Sequence, residues 1–103
     1  MQKEVIVAPN AERELKKINK SDRTKIWADL KKWRSGELKL DVEKIKSAPD
    51  FYRLRIGNYR LIYYPLSSER VVLLLIKDRK NAYRGVGDLH EKLDTALRKL
   101  RIA

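Results

Sequence analysis

The sequence predicts an α+β domain: an antiparallel sheet of about four strands with an N-terminal helical hairpin and a C-terminal helix, in the order β-α-α-β-β-β-α. Three observations carry that expectation. Residues 51–64, FYRLRIGNYRLIYY, read as two alternating strands joined by Gly57-Asn58, a pair that tolerates positive φ and closes tight hairpins. Apolar residues recur at helical spacing in two stretches before that hairpin and one after it. Residues 71–77, VVLLLIK, form an apolar run of strand length, expected to be buried on both faces.

Taken in order, Val5, Ile6 and Val7 form a short apolar run closed by Pro9, which gives a first strand over residues 3–8. Asn10 can cap a helix with Ala11, Leu15 and Ile18 on one face, and Asn19 and Lys20 break it. Ser21 can cap a second, longer helix in which Ile26, Leu30 and Trp33 stand at i, i+4 and i+7, ended by Gly36 at the C′ position. Trp27 and Trp33 read as packing residues, since aromatics at helical spacing usually serve the core. Residues 37–50, ELKLDVEKIKSAPD, show no clean period and contain Pro49, so they are expected to form a loop with room for one helical turn. After the hairpin, LSSER makes a second turn into the apolar run. Asp88 can cap a last helix over residues 88–102, with Leu89, Leu93, Ala96, Leu97 and Leu100 along one stripe. No repeat or linker interrupts the chain, so residues 1–103 are expected to be one domain.

The two-residue turn sets a register. Ile56 faces Tyr59, Arg55 faces Arg60, Leu54 faces Leu61, Arg53 faces Ile62, and Tyr52 faces Tyr63. Tyr52, Leu54, Ile56, Tyr59, Leu61 and Tyr63 share a face suited to a core. The other face carries Arg53, Arg55, Arg60, Ile62 and Tyr64, with two arginines directly opposed. Like charges paired across strands destabilise a sheet, so this face is read as a place where guanidinium groups converge on an anion, most naturally phosphate.

Composition agrees. Lys and Arg number 25 against 14 Asp and Glu, a formal charge of +11, and such a field favours nucleic acid or an acidic protein as partner. With no cysteine, disulfides and thiolate metal sites are excluded. The first residues, MQKEVIVAPN, lack the apolar stretch of a signal peptide, and the longest apolar run is too short for a bilayer. A soluble, cytoplasmic protein without membrane, metal or cofactor is expected.

The pattern Tyr-Arg-Leu-Arg, a short turn, Tyr-Arg-Leu-Ile-Tyr, then an apolar strand ending in Arg with Tyr four residues later resembles the RelE/ParE toxin superfamily. Segments 42–64 and 71–85, with the basic helical hairpin before them, carry the likeness over about residues 5–84. Within the superfamily it is similar to the RelE-like messenger-RNA endoribonucleases, toxins of type II toxin–antitoxin systems that cut messenger in the ribosomal A site. In that reaction the substrate's own 2′-hydroxyl attacks the adjacent phosphorus, leaving a cyclic phosphate and a free 5′-hydroxyl without a metal. The resemblance also implies an acidic antitoxin as partner, besides ribosome and messenger.

Carried onto this sequence, the resemblance assigns Arg60 and Arg79 to phosphate and transition-state charge, and Tyr83 to stacking or proton transfer. Arg53 and Arg55 stand where the family has strand lysines and are assigned to the RNA backbone, with Tyr64 beside them. Arginine stays protonated below about pH 12, so neither can act as general base. Glu43 occupies roughly the place of a carboxylate that some relatives use as base. His90, the sole histidine, falls in the last helix and is read as structural or exposed. Two other functions stay open: a ParE-like toxin that inhibits DNA gyrase by protein binding, and a noncatalytic basic RNA-binding domain.

Overall fold

In the computed structural model, which describes residues 4–78 and 89–101, the chain runs β1 (Glu4–Val7), α1 (Pro9–Lys17), α2 (Lys20–Arg34), β2 (Asp41–Ile45), β3 (Ala48–Ile56), β4 (Tyr59–Pro65), β5 (Arg70–Asp78) and α3 (Leu89–Lys99). The strands make one sheet ordered β1-β5-β4-β3-β2. All neighbours are antiparallel except β1 and β5, which run parallel. The α+β class and the helical arrangement are as expected, with one strand more.

That extra strand is β2. Residues 37–50 were expected to form a loop, yet 41–45 pair along β3 from Asp41 opposite Arg55 to Lys44 opposite Tyr52. Asp41, Val42, Glu43 and Lys44 are all exposed, so this edge strand has no buried face to impose an alternating pattern. Two caps also differ from expectation. Helix α1 starts at Pro9 after Ala8, whose methyl side chain can accept no hydrogen bond, and proline suits this first turn because its φ is preset for the helix and an N–H there would have no intrahelical partner. Helix α2 is capped by Asn19, whose Oδ1 accepts from the Asp22 N–H at 2.8 Å, and Ser21 lies inside the helix. Gly36 does terminate α2 as expected, at φ +84°.

The sheet separates two apolar clusters. Helices α1 and α2 lay Ala11, Leu15, Ile26 and Leu30 on Leu54, Ile56, Leu61, Tyr63, Val71, Leu73 and Ile76. On the opposite face α3 lays Leu89, Leu93 and Ala96 on Phe51, Ile62, Val72, Leu74 and Leu75. Strand β5 is thus buried on both sides, as its apolar run implied. Trp33 packs edge-on against Tyr63, with ring centroids 5.3 Å apart, whereas Trp27 is 44% exposed and is not a core residue. Among the described residues no helix is long and apolar enough to cross a membrane.

Candidate nucleic-acid interface

The hairpin between β3 and β4 forms with the expected register, pair for pair. Gly57 supplies the positive φ of +56°, while Asn58 stays outside the left-handed region, the pattern of a type II′ turn. Arg53, Arg55 and Arg60 therefore share the face that carries α3. The apolar residues of α3 pack over the far end of that face, on Phe51, Ile62 and Leu75.

Pairing across the whole sheet orders this face into rows. Nearest the turn, Asp41, Arg55, Arg60 and Lys77 lie side by side on β2, β3, β4 and β5. The next row reads Glu43, Arg53, Ile62 and Leu75, turning from charged to apolar as it runs under α3. At a strand spacing of about 4.8 Å, the first row is a charged strip roughly 14 Å long.

Lys77 joins the strip through a bulge. Ile62 pairs with Leu75 while Tyr63 pairs with Leu73, so Leu74 is an extra residue that reverses the alternation of β5 beyond it. Without it Lys77 would point at the helical-hairpin core. Instead it sits opposite Arg60, and its Nζ lies 3.0 Å from Glu14 Oε2 on α1. Glu14 also accepts from the Ile76 N–H at 3.1 Å, satisfying β5 backbone past the end of the short β1.

The cations differ in surroundings. Arg60 is buried to 9% exposure, with Nη1 3.4 Å from the Tyr59 carbonyl oxygen. Arg55 is exposed. The Arg53 guanidinium is held from β2, its Nη2 standing 2.9 Å from Glu43 Oε2 and 3.8 Å from Asp41 Oδ2. A charge-assisted contact of that length fixes the fork's orientation. Arg53 is 15% exposed and Glu43 64%, so the carboxylate remains accessible at the rim.

The structure thus brings Glu43, Arg53, Arg55 and Arg60 together and adds Asp41 and Lys77, which the sequence reading did not single out. Tyr64 shares the face but lies four residues along β4 from Arg60, about 13 Å at strand rise. Its ring packs on Phe51 at 5.4 Å. His90 closes the same apolar corner, its ring 5.0 Å from Phe51 and its Nε2 3.5 Å from Asp50 Oδ2. Arg79, Tyr83 and the cap residue Asp88 lie outside the described residues. On the opposite face Tyr52 stacks on Tyr63 at 5.5 Å, and Tyr59 donates to Asp22 Oδ2 at 2.8 Å. Burial, with a smaller contribution from Tyr52, pushes the Tyr63 phenol up to about 12. The bond to Asp22 raises Tyr59 as well.

This fold is shared with toxins solved beside their antitoxins. The RelB-RelE antitoxin-toxin complex from Methanococcus jannaschii aligns with a TM-score of 0.62 and 26% identity over 76% of this chain and 94% of that one. The archaeal RelE-RelB complex from Pyrococcus horikoshii OT3 aligns at 0.58 and 25% identity, over 80% and 100%. Toxin RelE3 of Methanocaldococcus jannaschii is 38% identical over 48 residues, 47% of this chain and 53% of that protein. The chain spans about half the length of the curated relatives it matches. The chain belongs to the family described as ParE toxin of type II toxin-antitoxin system, parDE, whose model matches residues 5–83. It is a RelE/ParE superfamily toxin, as the hairpin and the apolar strand after it implied.

Proposed function

We propose that the chain is a cytoplasmic, ribosome-dependent endoribonuclease toxin that cleaves messenger RNA in the A site and is held inactive by an acidic antitoxin. The observation that supports this most directly is the row Arg55, Arg60 and Lys77 with Arg53 behind it, cations gathered toward the turn end of the sheet face, beyond the apolar residues on which α3 packs. Side-by-side cations are costly in a sheet, Glu14 and Glu43 offset part of that charge, and an RNA backbone would neutralise more of it.

The reaction needs three things of the protein. The substrate 2′-oxygen attacks phosphorus as its proton leaves, and the 5′-oxygen departs as it gains one. Charge growing on the nonbridging oxygens is met by Arg60, whose burial strengthens its field and fixes its position. Arg53 and Arg55 hold the backbone on either side, with Lys77 extending the strip. Glu43, 2.9 Å from Arg53 and 64% exposed at the rim, is the carboxylate that would accept the 2′-proton. Tyr83 and Arg79 keep the roles that the resemblance gives them, stacking or proton transfer and phosphate charge, whereas Tyr64, packed on Phe51 at the end of the face that α3 covers, is left out of the RNA contact.

The family description favours one other reading, a ParE-like toxin that inhibits gyrase through protein contact. Primer extension on messenger in a reconstituted translation reaction separates the two. Cuts in register with codons that disappear in Arg60→Ala and Arg79→Ala are expected; intact messenger beside inhibited gyrase supercoiling would sink the endoribonuclease.

A further inference from the structure

Glu14 belongs to α1, which packs on the sheet face opposite the arginines, yet it is bonded to the end of their row. The reason lies in unequal strand lengths. Strand β1 stops at Val7, opposite Leu73, whereas β5 runs on to Asp78. Past Leu73 the outer edge of β5 has no paired strand among the described residues, and the Glu14 carboxylate stands there instead. Its Oε1 accepts the Ile76 N–H at 3.1 Å, and its Oε2 lies 3.0 Å from Lys77 Nζ. Glu14 is 18% exposed and Lys77 25%. The contrast with Glu12 and Lys16 on the same helix is plain: that pair is 4.0 Å apart, with side chains 61% and 73% exposed, and orders nothing.

We propose that Glu14 is a positioning residue of the cationic strip, holding Lys77 at the open edge of β5, where its ammonium meets a phosphate of the bound RNA. The proposal rests on the endoribonuclease reading and deepens it. A lysine left in solvent at a strand edge spreads its ammonium over many rotamers and loses that freedom on meeting a phosphate. Held by Glu14, Lys77 has given up most of that freedom before RNA arrives. An ammonium has three N–H donors, so the one turned to Glu14 leaves two for phosphate oxygens. The carboxylate is itself fixed, by the Ile76 N–H on one oxygen and by a helix anchored through Ala11 and Leu15 in the core. Lys77 stands one strand outward from Arg60, so it acts on backbone binding, while Arg60 meets the reacting phosphate. The opposite role for Glu14 has an opposite sign. A carboxylate that merely neutralised the strip would repel RNA, and removing its charge would tighten binding; removing a positioning carboxylate weakens it.

The test is a double-mutant cycle on the purified full chain, read as kcat and KM for messenger cleavage on programmed ribosomes and as binding of a single-stranded RNA 12-mer across a salt series. Lys77→Met is expected to raise KM roughly 10-fold with kcat nearly unchanged, and to reduce the salt slope of 12-mer binding by roughly 0.7, the share of one phosphate contact. Glu14→Gln keeps an oxygen for the Ile76 N–H and loses the charge. It is expected to raise KM roughly 3- to 10-fold and to have no further effect in the Lys77→Met background. Glu14→Asp, which keeps the charge on a shorter stem, is expected to fall between wild type and Glu14→Gln, and it keeps the cycle readable should circular dichroism show Glu14→Gln misfolded. If the wild-type chain leaves messenger intact, the endoribonuclease reading falls and this assignment with it. If wild type cleaves and Glu14→Gln binds RNA equally or more tightly, only the positioning role falls. An unchanged salt slope in Lys77→Met, or equal effects of Glu14→Gln with and without Lys77, would likewise overturn it.

Discussion

The two faces of the central hairpin are made from alternate residues of the same two strands, yet they are used differently. Under α1 and α2, Leu54, Ile56 and Leu61 are each nearly or fully buried, and the tyrosines beside them complete a continuous apolar layer. On the other face the layer stops halfway. Phe51 and Ile62 are sealed by α3, and then Arg53, Arg55, Arg60 and Lys77 take over toward the turn. A sheet needs one complete apolar face and part of another to hold this domain together. The turn end of the second face is left to carry charge, with Arg60 buried among its polar neighbours.

The contrast can be broken most strongly at Phe51, which is fully buried where the apolar half of the arginine face meets α3. Phe51→Ala is expected to cost about 3–5 kcal/mol in urea unfolding and to loosen α3. A loss below about 1 kcal/mol would mean that α3 contributes little to the core. Arg60→Ala tests the charged half. Cleavage is expected to fall roughly 10²- to 10³-fold, the effect of removing one preorganised stabiliser of transition-state charge, with Arg60→Lys recovering part of it. Equal cleavage by both variants would place the transition-state charge elsewhere.

The tyrosine face should announce itself in alkali. An unfolded tyrosine ionises near pH 10, whereas Tyr63 keeps its proton to about 12. The stability this contributes is whole below pH 10 and is lost as pH rises through 10 to 12, because the unfolded chain releases the proton first. Tyr63→Phe is expected to flatten that limb of a melting-temperature profile, and Tyr59→Phe to flatten it further; an unchanged slope in the double variant would remove both from the account. Smallest is Glu43→Gln. Its ion pair with Arg53 is exposed on one side, so stability should change by less than about 1 kcal/mol. Cleavage should fall more than that, with the pH dependence of kcat altered if Glu43 takes the 2′-proton and only KM altered if it merely orients Arg53.

Much of this was legible from residue order. The turn at Gly57-Asn58 and the period-two pattern on both sides of it determined which arginine faces which, since a slip of one strand by one residue would turn its three core side chains outward. The stripes of α1 and α3 and the stop at Gly36 followed from equally local rules. What local rules miss is any residue whose role comes from a neighbouring strand or from the lack of a cover. Asp41 and Glu43 lie on an edge strand exposed on both faces, so β2 left no periodic trace, and only pairing with β3 sets Glu43 against Arg53. Trp27 has helical spacing like a core residue, and only the placement of α2 on the sheet leaves it in solvent.

By itself the sequence determined the hairpin, its register, the charge and the superfamily, because each depends on residues close together in the chain. The tertiary structure alone decided that Lys77 joins Arg60. One additional residue inside an unbroken apolar run, invisible to any alternation count, turns the end of β5 over and brings a lysine out of the core and into the cationic strip.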